Sequence, residues 1–191
     1  SLPQNSKMVV AVIDKAQIAA DVAKAKKQAD LVIVSMHWGQ EYQTTANASQ
    51  KELAQYLADL GVNLVIGSHP HVIQDMTTLT GKNGNKTVVA YSLGNFVSAQ
   101  HNKAAMLGGL VKAQIVYSPG SHKVRIENPK LIPLVTHYDK GYKQVRVIPL
   151  ADYSQAMAQK HGIRAKYPGF GLGYLKNLAE KTVSANYLVL N

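Results

Sequence analysis

Apolar stretches and helical patterns alternate in the first third of the chain. Residues 8–13 are nearly all apolar, which predicts a strand covered on both faces. Asp14 then precedes a segment whose apolar residues recur at helical spacing, so a helix capped by Asp14 is predicted. Residues 31–36 predict the next strand. Residues 47–60 predict a second helix, which ends before Gly61.

A third apolar stretch, residues 62–66, completes an order of strand, helix, strand, helix, strand with parallel, right-handed connections. The pattern changes after this point. Residues 72–79 and 87–92 are rich in strand-forming side chains, and Asn83-Gly84 between them is a strong hairpin signal.

The second half of the chain has longer and more polar strand patterns. Together with the first half they predict a mixed α/β (α+β) fold, βαβαβ followed by mostly antiparallel strands, as a two-layered sandwich flanked by helices. Residues 1–150 are predicted to form the main domain and residues 151–191 a helical extension packing on it. The predicted strands are 110–117, 123–126, 130–135 and 144–150, and the predicted helices are 152–160 and 175–187.

Composition excludes some classes of protein. With 191 residues, 46% of them hydrophobic, the chain can bury one ordinary core. Its apolar runs are far shorter than the roughly 20 residues of a membrane helix. It has no cysteine and therefore neither disulfides nor thiolate ligands. Because it opens on Ser1 rather than methionine, we expect a processed piece of a longer protein.

The formal net charge of +10 is distributed unevenly. Residues 1–100 carry eight lysines and seven acids, a net of +1, whereas residues 101–191 carry thirteen Lys or Arg and four acids, a net of +9. This asymmetry favours an anionic partner, such as a polyanion, an anionic lipid surface or a cell-wall polymer.

Histidines follow two of the predicted parallel strands. His37 closes one strand, and His69 and His71 follow the next. Such strand ends share one edge of the sheet, where ligands bind in open α/β folds. In extended backbone His69 and His71 point to the same side, and Pro70 is expected to hold His69 extended. We therefore predict His37, His69 and His71 as metal ligands, although imidazole alone does not identify the metal.

Carboxylates are scarce around these histidines, although a hydrolytic two-metal site normally needs them. Asp30 precedes its strand at the opposite edge, and Asp75 lies inside the following strand. Glu41 is close enough to His37 to hydrogen-bond a metal ligand or to act as a proton donor. Asn95 follows a predicted strand. Its side chain either points to the same edge of the sheet or only hydrogen-bonds backbone groups in the turn. Glu41 and Asn95 are the predicted catalytic residues.

The remaining histidines fit no ligand spacing and are predicted to be surface or locally hydrogen-bonded residues: His101, His122, His137 and His161.

Three motifs, at residues 29–42, 61–72 and 91–96, resemble the CapA family of poly-γ-glutamate capsule synthesis proteins. The resemblance covers roughly residues 8–100 and implies the C-terminal portion of a calcineurin-like metallophosphoesterase sandwich. In that fold His37 and His69 resemble ligands of one metal and His71 a ligand of the other, with Mn, Zn or Fe as the divalent ions. The family's N-terminal carboxylate motifs have no counterpart here.

Three functions stay open at this stage. The resemblance implies a capsule biosynthesis or export protein on the outer face of the membrane, anchored through an absent N-terminal segment, within a synthesis or export complex. The basic half would then hold an acidic polymer such as poly-γ-glutamate. The alternatives are a cytoplasmic metal-dependent phosphoesterase and a non-catalytic polyanion-binding module, with nucleic acid as the least favoured partner.

An incomplete sandwich would expose an apolar strand edge. We therefore expect pairing with the missing N-terminal part or with a second copy, as a dimer or domain swap. Whether the complete protein is an enzyme stays open, and the chain alone is expected to have little phosphoesterase activity.

Overall fold

The computed structural model of the protein describes residues 12–121 and 123–190. The predicted first strand, residues 8–13, falls almost entirely outside these ranges. The helices and strands, in chain order, are α1 (Lys15–Lys26), β1 (Ile33–His37), α2 (Ala48–Asp59), β2 (Leu64–Ser68), β3 (Met76–Thr80), β4 (Lys86–Ala90), β5 (Leu107–Ser118), β6 (Lys123–Asp139), β7 (Lys143–Pro149), α3 (Gln155–Lys160) and α4 (Leu172–Thr182). Short 3₁₀ turns occur at Ala104–Met106, Pro119–Ser121, Leu150–Asp152 and Gly162–Ala165.

Side-chain caps define the first two helices. Asp14 Oδ1 accepts a hydrogen bond of 2.7 Å from the Gln17 amide at the start of α1. Asn47 and Gln50 form a reciprocal capping box at the start of α2. Gly61, with φ of +82°, follows the end of α2. Both predicted helices and the Asp14 cap are confirmed.

The first sheet has the strand order β1-β2-β4-β3. The pairs β1/β2 and β2/β4 are parallel, and β3/β4 is antiparallel. The turn between β3 and β4 contains Gly84 with φ of +75°, which confirms the hairpin predicted at Asn83-Gly84. Among the described strands, β1 lies at the edge of this sheet.

The second sheet is antiparallel with the order β5-β6-β7, as predicted. The prediction of separate strands at residues 123–126 and 130–135 is wrong, because both belong to the 17-residue strand β6. Asn128 and Pro129 lie opposite Ala113 alone, at a shift in register. Asn128 takes a φ of +49°, so a β-bulge accommodates the proline inside the strand.

The two C-terminal helices are shorter than the sequence pattern predicts. Helix α3 begins only after Ser154, whose side-chain oxygen accepts a hydrogen bond from the Met157 amide. Helix α4 begins three residues earlier than predicted, at Leu172, and ends at Thr182. Apolar periodicity therefore locates these helices but does not fix their ends.

Two hydrophobic clusters cover the two faces of the first sheet. One cluster packs Val65 and Val89 against α1 and α2. The other joins Leu64 and Val88 to the second sheet and to helices α3 and α4. This confirms a mixed α/β fold. Among the described residues β1 is an exception, because Ile33 shares a face with Leu64 but is 52% exposed.

Candidate functional site

The ends of β1 and β2 bring the predicted histidines together. His37 is the last residue of β1 and is paired with Ser68, the last residue of β2, so His69 leaves the sheet beside it. The His37 and His69 ring centroids are 4.6 Å apart, and those of His69 and His71 are 6.1 Å apart. All three imidazoles therefore lie at one edge of the first sheet.

Glu41 joins this edge with a carboxylate. Glu41, His69 and His71 each offer a ligand atom, and these atoms lie within 4.8 Å of one another. Glu41 Oε1 is 3.8 Å from His71 Nε2, and both side chains are partly open to solvent. Within residues 12–121 and 123–190, this is the one group of three or more such side chains close enough to hold an ion. We refer to these three residues as the His-Glu group.

Asn95 fixes the orientation of His71. Its Oδ1 lies 2.9 Å from His71 Nδ1, and its amide nitrogen donates to Gln100 Oε1. Because Asn95 Oδ1 can only accept, His71 donates from Nδ1, and the lone pair is left on Nε2, the nitrogen that faces Glu41. Asn95 thus acts on the group through His71, as ligand-orienting residues do in metal sites.

The backbone around the histidines differs from the extended form expected from the sequence. His69 has φ of +97° and His71 φ of +61°, both in the left-handed half of conformational space. The expectation that Pro70 holds His69 extended is wrong, although the two imidazoles still converge. Such conformations cost about 1–3 kcal/mol each and collect at functional sites. The convergence is therefore maintained by surrounding contacts.

Those contacts tie the Glu41 loop to the histidine loop. The Tyr42 amide donates to the Pro70 carbonyl at 2.8 Å. Buried Gln74 donates to the Gln43 carbonyl and accepts from Gln50, each at 2.8 Å. Sequence analysis missed these glutamines. For Gln50 the sequence did hold a signal, the capping-box spacing of Asn47 and Gln50.

Close packing also locks the strand ends. The Trp38 indole donates to the Tyr91 carbonyl at 2.8 Å. Gly67 lies so close to this carbonyl that an added Cβ would be 1.9 Å from the oxygen. Gly94, with φ of +61°, allows the turn that delivers Asn95.

Other acids do not join the His-Glu group. Asp75 accepts hydrogen bonds from the Ser184 amide and hydroxyl, at 2.8 and 2.7 Å, and therefore serves as a structural residue. Asp30 precedes β1, whereas His37 ends it. Glu41 is thus the single carboxylate that the described residues place in the group.

Two further histidines, His137 and His161, are buried in the core. The sequence pattern did not predict their burial. His161 Nε2 donates to the Thr136 carbonyl at 2.9 Å, while its Nδ1 accepts from the Ile163 amide. Burial lowers the pKa of His161 to about 4.

His137 is also locally bonded, as predicted, and fully buried. It is 2.7 Å from the Tyr153 hydroxyl and 3.1 Å from Asp139 Oδ1. Burial lowers its pKa, against the opposing effect of Asp139. His101 is exposed beside Tyr142, and His122 lies outside the described residues.

The donor set of the His-Glu group fits a divalent transition metal. Two imidazole nitrogens and one carboxylate oxygen suit Zn, Mn or Fe. With bonds of about 2.0–2.2 Å at tetrahedral angles, ligands of one ion lie roughly 3.3–3.6 Å apart. The group therefore needs to close by roughly 1 Å at its widest. Glu41, with a 53% exposed side chain, is free to make that movement.

A protein-family model described as "Bacterial capsule synthesis protein PGA_cap" matches residues 2–100. The chain belongs to this family. The matched segment contains the whole His-Glu group together with His37 and Asn95, whereas residues 101–191 lie beyond it. The description of this family names bacterial capsule synthesis.

Two curated relatives agree with this assignment. The chain is 44% identical over 79 residues to the PGA biosynthesis protein CapA of Bacillus subtilis (strain 168). These residues make up 41% of the chain and 20% of that relative. It is 38% identical over 100 residues to the capsule biosynthesis protein CapA of Bacillus anthracis, covering 52% of the chain and 22% of the relative. The matched region thus spans about a fifth of each relative. No helix within the described ranges is long and apolar enough to cross a membrane.

Proposed function

We propose that the His-Glu group is part of a metallophosphoesterase-like centre that serves capsule biosynthesis or export at the bacterial cell surface. The observation that carries the proposal is the convergence of Glu41, His69 and His71, with Asn95 directing the His71 lone pair toward Glu41. Strained backbone at both histidines adds support, since proteins rarely retain such strain without a role for it.

In this proposal His71 Nε2, His69 and Glu41 hold one divalent ion. His37, whose ring contacts that of His69, contributes to a second position. A bound divalent ion supplies Lewis acidity and lowers the pKa of a coordinated water. The residues of the chain orient the ligands: Asn95 holds the His71 ring, and the Gln50-Gln74 pair holds the loop that bears Glu41.

One carboxylate does not balance the charge of two divalent ions. We therefore expect the complete centre to draw further carboxylates from outside the His-Glu group, and the 191-residue chain alone to hydrolyse phosphodiesters poorly. The alternative of a polyanion-binding module is favoured by the net charge of +9 in residues 101–191. Poly-γ-glutamate and the other components of a capsule synthesis complex are the proposed partners.

Metal binding by the chain tests the proposal. We would titrate the metal-free chain with Zn²⁺ and Mn²⁺ in a calorimeter and repeat the titration with His69→Ala and His71→Ala. We expect one ion per chain, and a loss of affinity of at least tenfold in each variant. His101→Ala, which removes an exposed histidine outside the group, is the matched control. Equal affinity in all four proteins would refute the proposal.

A further inference from the structure

A second surface with distinct chemistry lies beyond the family-matched segment. The turn after β6 and the 3₁₀ turn Gly162–Ala165 enclose a pocket of about 190 Å³. Its walls include His101, Tyr138 and Tyr142, and Lys140 and Lys166 also line it. Tyr142 stacks on buried Tyr138 with 4.7 Å between ring centroids, which makes this wall rigid.

The basic side chains continue from this pocket over two more tyrosines. Lys103 Nζ lies 4.6 Å from the ring centroid of Tyr174 and 5.8 Å from that of Tyr167. Lys166 Nζ lies 5.4 Å from the Tyr167 ring. These cation–π contacts hold the ammonium groups in place without neutralising them. In the part of the chain that the structure describes, neither lysine forms an ion pair.

The surroundings reinforce the positive charge. Between residues 160 and 181 the chain carries five Lys or Arg and one acid, Glu180. Lys103 and Lys166, which the tyrosine rings position, and Lys140, which lines the pocket, define with Tyr142, Tyr167 and Tyr174 what we call the Lys-Tyr surface.

A short chain segment connects this surface to the His-Glu group. Asn95 contacts His71 and Gln100, His101 contacts Tyr142, and Lys103 lies over Tyr174. Lys103 lies eight positions after Asn95, so their Cα atoms are no more than about 29 Å apart. A polymer of moderate length reaches both.

We propose that the Lys-Tyr surface binds a carboxylate-bearing polymer and presents it to the His-Glu group. This inference rests on the proposed role in capsule assembly. Lysine supplies compact point charges that attract any polyanion. The ammonium groups occupy faces of Tyr167 and Tyr174, which leaves those faces unavailable for stacking with nucleic-acid bases. This arrangement, together with the proposed role in capsule assembly, favours a polycarboxylate over a nucleic acid.

Binding of fluorescently labelled poly-γ-glutamate to the 191-residue chain tests the inference. The measurement is made by anisotropy in EDTA, so that bound metal plays no part. Lys103→Gln/Lys166→Gln is expected to bind about tenfold more weakly, a loss of about 1.4 kcal/mol for the two charges together. Lys24→Gln/Lys27→Gln, with the same charge change on and just after α1, is the control and is expected to bind within about twofold of wild type.

Three further arms make the result decisive. Lys103→Arg/Lys166→Arg is expected to restore most of the binding, and circular dichroism confirms that each variant is folded. Equal weakening of both glutamine pairs would show diffuse charge attraction and overturn the inference. Tighter binding of oligo(dT) or polyphosphate than of poly-γ-glutamate would overturn the choice of polymer. Because polymer binding is measured in EDTA and metal binding in the absence of polymer, failure of the metal proposal and failure of this one are distinguishable.

Discussion

The histidines at the sheet edge and the histidines in the core show how one residue type takes two roles. At the edge, His71 donates a hydrogen bond from Nδ1 to Asn95, and its Nε2 lies 3.8 Å from the Glu41 carboxylate. In the core, both nitrogens of His161 are used by backbone groups, and both nitrogens of His137 by Tyr153 and Asp139. A histidine is available to a metal only when the fold leaves one nitrogen uncommitted.

The largest expected effect is a difference in stability between variants of a core histidine and of an edge histidine. His161→Ala leaves the Thr136 carbonyl and the Ile163 amide without partners and opens a cavity. We expect it to lower the free energy of unfolding by about 3–4 kcal/mol. His71→Ala, at the partly exposed edge, should cost less than about 1 kcal/mol. Urea denaturation followed by circular dichroism measures both, and equal losses would contradict the distinction.

Lowering the pH should also reduce the stability of the protein through the buried histidine His161. Unfolded His161 takes up a proton near pH 6.5, whereas folded His161 does so only near its pKa of about 4. The unfolded state therefore binds more protons between these values, and the free energy of unfolding should fall as the pH is lowered from about 6.5 to about 4. The expected loss is on the order of 3 kcal/mol, with a further contribution in the same direction from His137.

The control for this pH effect is His161→Phe, which removes the titrating group and keeps an aromatic ring. Its stability should depend less steeply on pH over the same interval. A wild-type stability that is constant from pH 6.5 to 4.5 would show that His161 titrates normally.

At the edge, removing the partner of His71 should weaken metal binding without unfolding the protein. Asn95→Leu releases the His71 ring, and we expect the affinity for Zn²⁺ to fall about 10–100-fold. Asn95→Asp keeps an acceptor oxygen and should restore most of the affinity. Asn177→Leu, on the exposed side of α4, is the matched control. Calorimetric titration gives the values, and an unchanged affinity in Asn95→Leu would argue against its positioning role.

The smallest effect on stability should come from Ile33, which lies on the same strand as His37 and is half exposed. Ile33→Lys should change the free energy of unfolding by no more than about 0.5 kcal/mol. We nevertheless expect β1 to be covered by a second copy or by the rest of a longer protein, because an exposed apolar edge invites pairing. Light scattering should then show wild-type dimers that the variant lacks, and a monomeric wild type would rule out the second copy.

Sequence patterns located the site better than they described its geometry. Periodicity and strand ends predicted that His37, His69 and His71 would converge, because parallel strands share one edge. The left-handed backbone at His69 and His71 was not predictable, since it depends on contacts such as the Tyr42 amide with Pro70, which lies 28 residues along the chain.

The second half of the fold shows the same limit. The sequence pattern predicts two strands at residues 123–126 and 130–135, but a bulge at Asn128 joins them in β6. The burial of His137 and His161 leaves no periodic signal, because His137 lies in a continuously buried stretch of β6 and His161 caps the short turn after α3. Local patterns predict elements and edges, whereas tertiary contacts decide which side chains are committed.

The hydrogen bonds between Asp75 and Ser184 join positions 109 residues apart. During synthesis at about 5–20 residues per second, roughly 5–20 s pass after Asp75 is made before its partner exists. In that interval the first sheet and its histidines are already complete, while Asp75 is still a free carboxylate near them in sequence. The contact that fixes the Asp75 side chain against the C-terminal region can therefore form only after residue 184 has been added.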